Sequence, residues 1–234
     1  MLNQPFDITI CIFAKAPVRG LVKTRLAASI GAEPATKLAT AFLQDTLATV
    51  QLLARTHAQP ERVRVVLALA GNRDELADAD YVELLRAVSI WPQGDGDLGA
   101  RLERHMQRAL TDSNAVIAIG TDSPGLPPTL LTQAMAHLQT TDAVVGPADD
   151  GGYYLLGLRS CPPGLLANIA WSTAATQAQT VAALAAHGQR WTLLDAWFDV
   201  DTDADLQRLQ SLISNERVHA PATAAALRAL ELLP

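Results

Sequence analysis

The sequence has little of several features that mark particular classes of protein. It holds only two cysteines, Cys11 and Cys161, which are too few and too far apart for a disulfide framework or a cysteine metal site. Charged residues make up 18 % and the net charge is −6, so nothing in the composition attracts nucleic acid or anionic lipid in general. No apolar run approaches the ~20 residues of a membrane-spanning helix, and no basic segment precedes the first apolar run as in a signal peptide. We therefore expect a cytoplasmic protein that binds neither nucleic acid nor membrane.

Several catalytic motifs are missing as well. The sequence has no G-x-x-x-x-G-K-[ST] phosphate loop and no recognisable Ser-His-Asp or Cys-His set. Its histidines are scattered, and none of them is assigned to chemistry: His57, His105, His137, His187 and His219. The 234 residues are 49 % hydrophobic, which is the composition of a soluble globular enzyme, and no linker or repeat divides them. We expect one domain over residues 1–234.

Short apolar runs rich in Val and Ile predict strands of a mainly parallel sheet, because both faces of such a sheet are covered by helices. These runs span residues 8–14, 62–70, 87–91, 115–120 and 142–146. Helical patterns span 33–54, 98–110, 128–138 and 173–187. The alternation predicts an α/β fold with a doubly wound sheet and helices on both faces. A further run, 153–158, follows too closely for a crossover helix, so we expect an antiparallel pair and a mixed sheet.

A basic loop follows the first predicted strand. Within residues 15–25 it carries four of the eighteen basic residues, Lys15, Arg19, Lys23 and Arg25, with Gly20 at a bend. Ligands of open α/β sheets bind at the carboxyl ends of the strands, and a helical segment follows the loop. Cations and a helix N-terminus together can hold phosphate oxygens. The alternative is an ordinary solvated loop.

Acidic residues follow the later strands. Asp122 comes just after the strand at 115–120, where it can bind Mg²⁺, which takes one or two protein carboxylates with phosphates and water, or can cap a turn. Asp149 and Asp150 precede a Gly-Gly pair and can bind sugar hydroxyls, bind a second metal or act as a base, or can form a tight turn.

The last acidic segment is DVDTDADL, which places Asp199 and Asp201 just ahead of a helix. Thr202 and Asp205 predict a capping box at the start of that helix. Asp201 lies outside the cap, and we consider it a candidate second metal ligand beside Asp122.

The stretch QGDGDLGAR, residues 93–101, contains the letter pattern of a dinucleotide-binding turn. Two aspartates stand between its glycines and would repel a pyrophosphate, and the turn lies outside the opening βαβ unit. We therefore predict no NAD or FAD site there. We expect a loop on the rim of the ligand crevice, with Gln93, Gly99 and Arg101 as nucleotide contacts.

The segments FAKAPVRGLVKTRL, GTDSPGL, GPADDGGYYLLGL and DVDTDADL, in this order, resemble a bacterial glycosyltransferase-like family. The family belongs to the nucleotide-diphospho-sugar transferase superfamily, has the GT-A fold and is similar to phospholactate guanylyltransferase. The resemblance spans about residues 8–209. It implies that Asp122 and Asp201 bind the metal and that Lys23 and Arg25 contact phosphate. Two departures are clear: AKAPVRG replaces the G-G-x-G-x-R loop of many sugar-nucleotide pyrophosphorylases, and Pro124 interrupts a D-x-D motif.

These observations predict a Mg²⁺-dependent (or Mn²⁺-dependent) transferase that moves a nucleotidyl group from a nucleoside triphosphate to a small phosphorylated acceptor. Lys23 and Arg25 would stabilise the transferring group, and Asp149 or Asp150 would orient the acceptor. The predicted nucleotide contacts are Lys15, Arg19, Gly20, Gln93, Gly99 and Arg101. The alternatives are a glycosyltransferase that uses a nucleotide-sugar, a non-catalytic nucleotide-binding module and a Rossmann oxidoreductase.

Overall fold

The apolar runs form the strands of one seven-stranded sheet in the computed structural model, which describes residues 6–76, 79–86 and 88–233. The strands are β1 (Ile8–Lys15), β2 (Val63–Ala70), β3 (Ser89–Pro92), β4 (Ala115–Gly120), β5 (Ala143–Pro147), β6 (Tyr153–Leu158) and β7 (Trp191–Leu193). Six of them match the predicted runs within two residues at each end. Ala87, where the third run was expected to begin, lies outside the described residues. The sequence patterns did not predict β7.

Helices occupy most of the segments between the strands. They are α1 (Thr24–Ile30), α2 (Ala32–Thr56), α3 (Ala79–Arg86), α4 (Leu98–Leu110), α5 (Pro128–His137), α6 (Thr176–Ala186), α7 (Asp203–Ser214) and α8 (Pro221–Ala229). The predicted capping box at the start of α7 is confirmed: Thr202 accepts a hydrogen bond from the Asp205 N–H, and the Asp205 carboxylate accepts one from the Thr202 N–H. None of the helices in the described residues is long and apolar enough to span a membrane.

The order of the strands is β3-β2-β1-β4-β6-β5-β7. β1 lies between β2 and β4 and is parallel to both, whereas β6 is antiparallel to its neighbours β4 and β5. The predicted mixed sheet, with an antiparallel pair at β5 and β6, is therefore confirmed. Because β1 and β4 are parallel neighbours, the loops that follow them leave the same edge of the sheet side by side.

Burial on both faces explains the continuous apolar strands. Along β1, Ile10 and Ile12 pack into one core cluster and Cys11 into another, and all three are fully buried. A third cluster, beyond the sheet, joins helices α1, α2, α7 and α8 around Phe42 and Phe198. It also buries Val200, in the segment that leads into α7. This cluster holds the late acidic segment against the loop after β1.

Candidate active site

Lys23 lies at the end of the basic loop, directly before α1. Its backbone is left-handed, with φ 46° and ψ 43°, in a region that costs a residue with a Cβ atom about 1–2 kcal/mol. Only 5 % of its side chain is exposed. A strained backbone that directs a buried cation towards a cleft is typical of functional sites.

The ammonium group of Lys23 forms ion pairs with two carboxylates from distant parts of the chain. Its Nζ contacts Oδ1 of Asp122, after β4, and lies 3.0 Å from Oδ1 of Asp201, before α7. Burial by itself would lower the pKa of Lys23, but the two negative charges outweigh it and raise the pKa above its ordinary value. Lys23 is therefore a permanently charged group between Asp122 and Asp201, which together form the acidic pair.

Backbone and side-chain contacts bring the two parts of the acidic pair together. The N–H of Val200 donates to the carbonyl of Asp122 at 2.8 Å, and the Val200 side chain is buried in the third core cluster. The residues on either side of Val200 both reach the loop after β4: Asp201 through Lys23, and Asp199 through the hydroxyl of Ser123, which donates to its Oδ1.

Asp199 was not among the predicted site residues. Burial raises its pKa to about 6; the hydrogen bond from Ser123 opposes that shift, and the charge of Asp122 adds to it. Its spacing from Asp201 could have identified it. In an extended segment, residues two apart lie on the same side, so Asp199 faces the same side of the segment as Asp201.

A cleft of about 280 Å³ opens over these residues. Five of the predicted site residues line it: Lys15, Lys23, Arg25, Asp122 and Asp201. Arg25 is largely exposed, and its Nη1 lies 3.8 Å from Oδ2 of Asp201. Lys15 donates from Nζ to the carbonyl of Leu21 at 2.7 Å, which folds the basic loop over its own start. The cleft thus combines three cations with two carboxylates.

The other predicted loop residues lie elsewhere. Arg19 and Gly20 are exposed and are not among the residues that line the cleft. Asp149 pairs with Arg208 of α7 at 2.5 Å, and its N–H donates to the carbonyl of Trp197. Asp150 accepts a hydrogen bond from the N–H of Gly152 at 2.8 Å, as in the tight turn considered above. The negative charge of Asp150 also raises the pKa of Asp199, so this loop borders the acidic side of the site.

The structure gives the glycine-containing stretch a packing role. The Gln93 amide is buried, donates to the carbonyls of Ala14 and Ala68, and thereby joins β1 to β2 at their ends. Arg101 donates from Nε to the carbonyl of Gly96 at 2.8 Å and from Nη1 to Oε1 of Gln93 at 3.3 Å. Contacts within the protein therefore occupy both side chains.

Gly99 and Asp97 have equally local roles. Asp97 caps α4 by accepting a hydrogen bond from the Ala100 N–H at 2.8 Å. A Cβ on Gly99 would come within 2.5 Å of Nε1 of Trp171 and 2.6 Å of the carbonyl oxygen of Leu166. The absence of a side chain at Gly99 therefore lets α4 pack closely against these two residues. Two residues of the dinucleotide-like motif, Asp97 and Gly99, therefore have roles in capping and packing.

The acidic pair fits a divalent cation in its chemistry. Within residues 6–76, 79–86 and 88–233, no group of three or more His, Cys, Asp and Glu side chains is arranged to bind a metal. Mg²⁺ nevertheless needs only one or two carboxylates when phosphates and water complete its shell. The Lys23 ammonium, held by both carboxylates, shows that a positive charge is favoured between them.

Comparison with known families and structures agrees with this fold. Residues 52–173 match a family described as "Uncharacterized protein conserved in bacteria (DUF2064)". A crystal structure from Desulfovibrio desulfuricans G20, provisionally named a nucleotide-diphospho-sugar transferase, is 32 % identical, with a TM-score of 0.81 over 95 % of this chain and 96 % of that one. No curated protein matches the sequence.

Two more distant structures share the fold alone. The 4-diphosphocytidyl-2C-methyl-D-erythritol synthase of Anaerococcus prevotii is 10 % identical, with a TM-score of 0.58 over 90 % of this chain and all of that one. Rv0371c of Mycobacterium tuberculosis, crystallised in complex with manganese, is 20 % identical, with a TM-score of 0.51 over 87 % and 97 %.

Proposed function

The chain belongs to the bacterial family DUF2064, and from this premise we propose that it is a metal-dependent transferase of the nucleotide-diphospho-sugar transferase type. It transfers a nucleotidyl group from a nucleoside triphosphate to a small phosphorylated acceptor and releases pyrophosphate. The observation that carries the proposal is the contact of Lys23 with both Asp122 and Asp201 at the floor of the cleft.

Nucleotidyl transfer requires mainly positioning and neutralisation of charge, and the cleft offers both. Lys23, Arg25 and Lys15 bind the phosphates of the donor, whose negative charge they balance. Asp122 and Asp201 are the residues that would hold a divalent cation, which would supply further positive charge next to the phosphates. No covalent nucleophile is needed. Manganese in the distant structural neighbour Rv0371c supports a divalent cation here.

The loop with Asp149 and Asp150 forms the side of the site that binds the acceptor. It lies next to Asp199 and follows β5, at the same edge of the sheet as the acidic pair. Asp150 accepts a hydrogen bond from a backbone N–H of its own loop, and its carboxylate can orient a hydroxyl of the acceptor. Asp149 is engaged with Arg208, so we assign the more direct part to Asp150.

The number of cations favours a triphosphate donor. Four basic residues lie within residues 15–25 of an acidic protein, and three of them line the cleft. A glycosyltransferase that uses a nucleotide-sugar is the second candidate, and the provisional name of the Desulfovibrio structure favours it.

Incubation with radiolabelled nucleoside triphosphates or nucleotide-sugars, a set of phosphorylated acceptors and Mg²⁺ or Mn²⁺ tests the assignment. Metal-dependent release of pyrophosphate from a triphosphate, together with a nucleotidylated acceptor, is the expected result. Release of a nucleoside diphosphate from a nucleotide-sugar supports glycosyl transfer instead. Tight nucleotide binding without turnover of either donor contradicts both and indicates a binding module.

A further inference from the structure

The Lys23 ammonium occupies the position between the two carboxylates that the proposed function assigns to a metal. Nζ lies 3.0 Å from Oδ1 of Asp201 and contacts Oδ1 of Asp122. The two oxygens that would coordinate a metal ion therefore already contact the ammonium group. This inference rests on the proposed function, because the metal belongs to it.

A divalent cation and this ammonium cannot both lie between the same two oxygens. Like charges a few ångströms apart repel each other, and the Lys23 ammonium, on a side chain that is 95 % buried, is poorly screened by water, although Asp122 and Asp201 face the open cleft. Nζ also lies 5.4 Å above the centre of the Phe42 ring, which supports the side chain in this position. Binding of a metal between the Oδ1 atoms of Asp122 and Asp201 in the nucleotide-free protein therefore requires displacement of Lys23 from both.

A phosphate gives the displaced ammonium a new anionic partner. The cleft that Lys23 lines is open to solvent and is bordered by Lys15 and Arg25, so donor phosphates would arrive beside Nζ. We propose that Lys23 is an internal competitor of the metal. Its ammonium group pairs with Asp122 and Asp201 until donor phosphates replace these carboxylates as its anionic partners. Metal and nucleotide then bind cooperatively. Because such coupling is reciprocal, the metal also raises the affinity for the nucleotide.

Binding of Mn²⁺ to the nucleotide-free protein, followed by the electron paramagnetic resonance signal of the free ion, tests the competition. Lys23→Met keeps the length of the side chain and removes its charge. We expect it to tighten Mn²⁺ binding by about 5–150-fold, the usual range of coupling between two sites. Lys37→Met is the matched control, because it removes the same charge from an exposed pair with Glu33, 3.1 Å away, and should leave the Mn²⁺ affinity unchanged.

Equal or weaker Mn²⁺ binding by Lys23→Met overturns the proposal. An equal gain in Lys37→Met also overturns it, since the cause would then be net charge. Should Lys23→Met fail to fold, amine labelling of the wild-type protein decides: saturating Mn²⁺ should expose Lys23 to an acylating reagent, measured by mass spectrometry against Lys37. Unchanged protection of Lys23 contradicts the proposal.

These measurements are separate from the test of function. They use no donor, acceptor or turnover, so a failed transfer assay leaves the Mn²⁺ result standing. Conversely, a protein that transfers a nucleotidyl group but binds Mn²⁺ independently of Lys23 keeps the proposed function and loses only the competition.

Discussion

Two acidic loops at the carboxyl edge of the sheet, after β4 and after β5, each form an ion pair with a basic side chain, but the surroundings of the two pairs differ. Asp122 contacts Lys23, whose side chain is 5 % exposed, whereas Asp149 contacts Arg208, and in that pair both side chains are about half exposed. The same types of charge meet in both loops. The two aspartates are about equally exposed, at 55 % and 50 %, so the difference lies in the cation: Lys23 is shielded from water and Arg208 is not. Burial of one partner strengthens the Coulomb interaction of the first pair.

The difference also concerns what remains when one partner is lost. Without its carboxylates, Lys23 would be a buried charge with no counterion, held on a strained backbone. Arg208 lies 3.9 Å over the ring of Phe198 and would keep that contact without Asp149. Loss of the first pair therefore leaves a buried charge without its counterion, whereas loss of the second leaves Arg208 with another contact.

The largest expected effect is on catalysis. Asp122→Asn removes one carboxylate from the metal and from Lys23, and we expect it to lower kcat/KM by about 10²–10³-fold, as for other groups that stabilise developing charge. Asp149→Asn should lower it less than about tenfold, since the Arg208 pair is solvated. The assay is steady-state transfer with the donor identified as above.

Asp112→Asn is the control for this comparison, because Asp112 pairs with Arg64 on the exposed surface. Its kcat/KM should equal that of the wild type. If Asp122→Asn and Asp149→Asn lower the rate equally, the distinction between the two loops is wrong.

The second effect concerns the backbone of the Asp149–Asp150 loop. Gly151 has φ +87°, and a Cβ there would lie 2.3 Å from the carbonyl oxygen of Ala174. Gly151→Ala should lower the free energy of unfolding by about 2–4 kcal/mol, because left-handed strain adds to a clash with backbone. Urea unfolding followed by circular dichroism measures the loss.

Gly164→Ala separates the two causes. Gly164 has nearly the same φ, +85°, but among the described residues no atom beyond its two chain neighbours lies within 4 Å of its Cβ position. It should lose only the strain, about 1–2 kcal/mol. Equal losses in the two variants would show that Ala174 yields, and that the loop is no more tightly packed than an open turn.

Composition and pattern predicted the strands well where burial on both faces dictated the residues. β1 and β4 are apolar at nearly every position because helices cover both of their sides. β7 escaped prediction because it has three residues, with Trp191 and Leu193 exposed at the edge of the sheet, and its existence depends on pairing with β5, far away in the sequence. Strand order depends on such long-range pairings, which no local pattern encodes.

The site divides in the same way. Candidate charges could be identified because each follows a recognisable strand, and five of them line one cleft. The position of Asp201 beside Asp122 was predicted, but the ion pairs of Lys23 with these two aspartates were not, since Lys23 meets Asp201 across 178 positions of sequence. Gln93 depends on long-range contacts as well: beside a glycine-rich loop its amide suggests a ligand contact, and the structure shows that this amide donates to the carbonyls of Ala14 and Ala68.

The smallest expected effect is the interaction energy of the Asp149–Arg208 pair. A double-mutant cycle with Asp149→Asn, Arg208→Met and the double variant should give a coupling of about 0.2–1 kcal/mol in urea unfolding, as for other exposed ion pairs. The coupling should fall in 1 M salt, because screening reaches exposed charges. Arg208→Met alone should cost more than Asp149→Asn, because it also removes the contact with Phe198. A coupling well above this range that resists salt would mean that the Asp149–Arg208 pair is shielded from water, and the contrast with the pair of Lys23 and Asp122 would then be wrong.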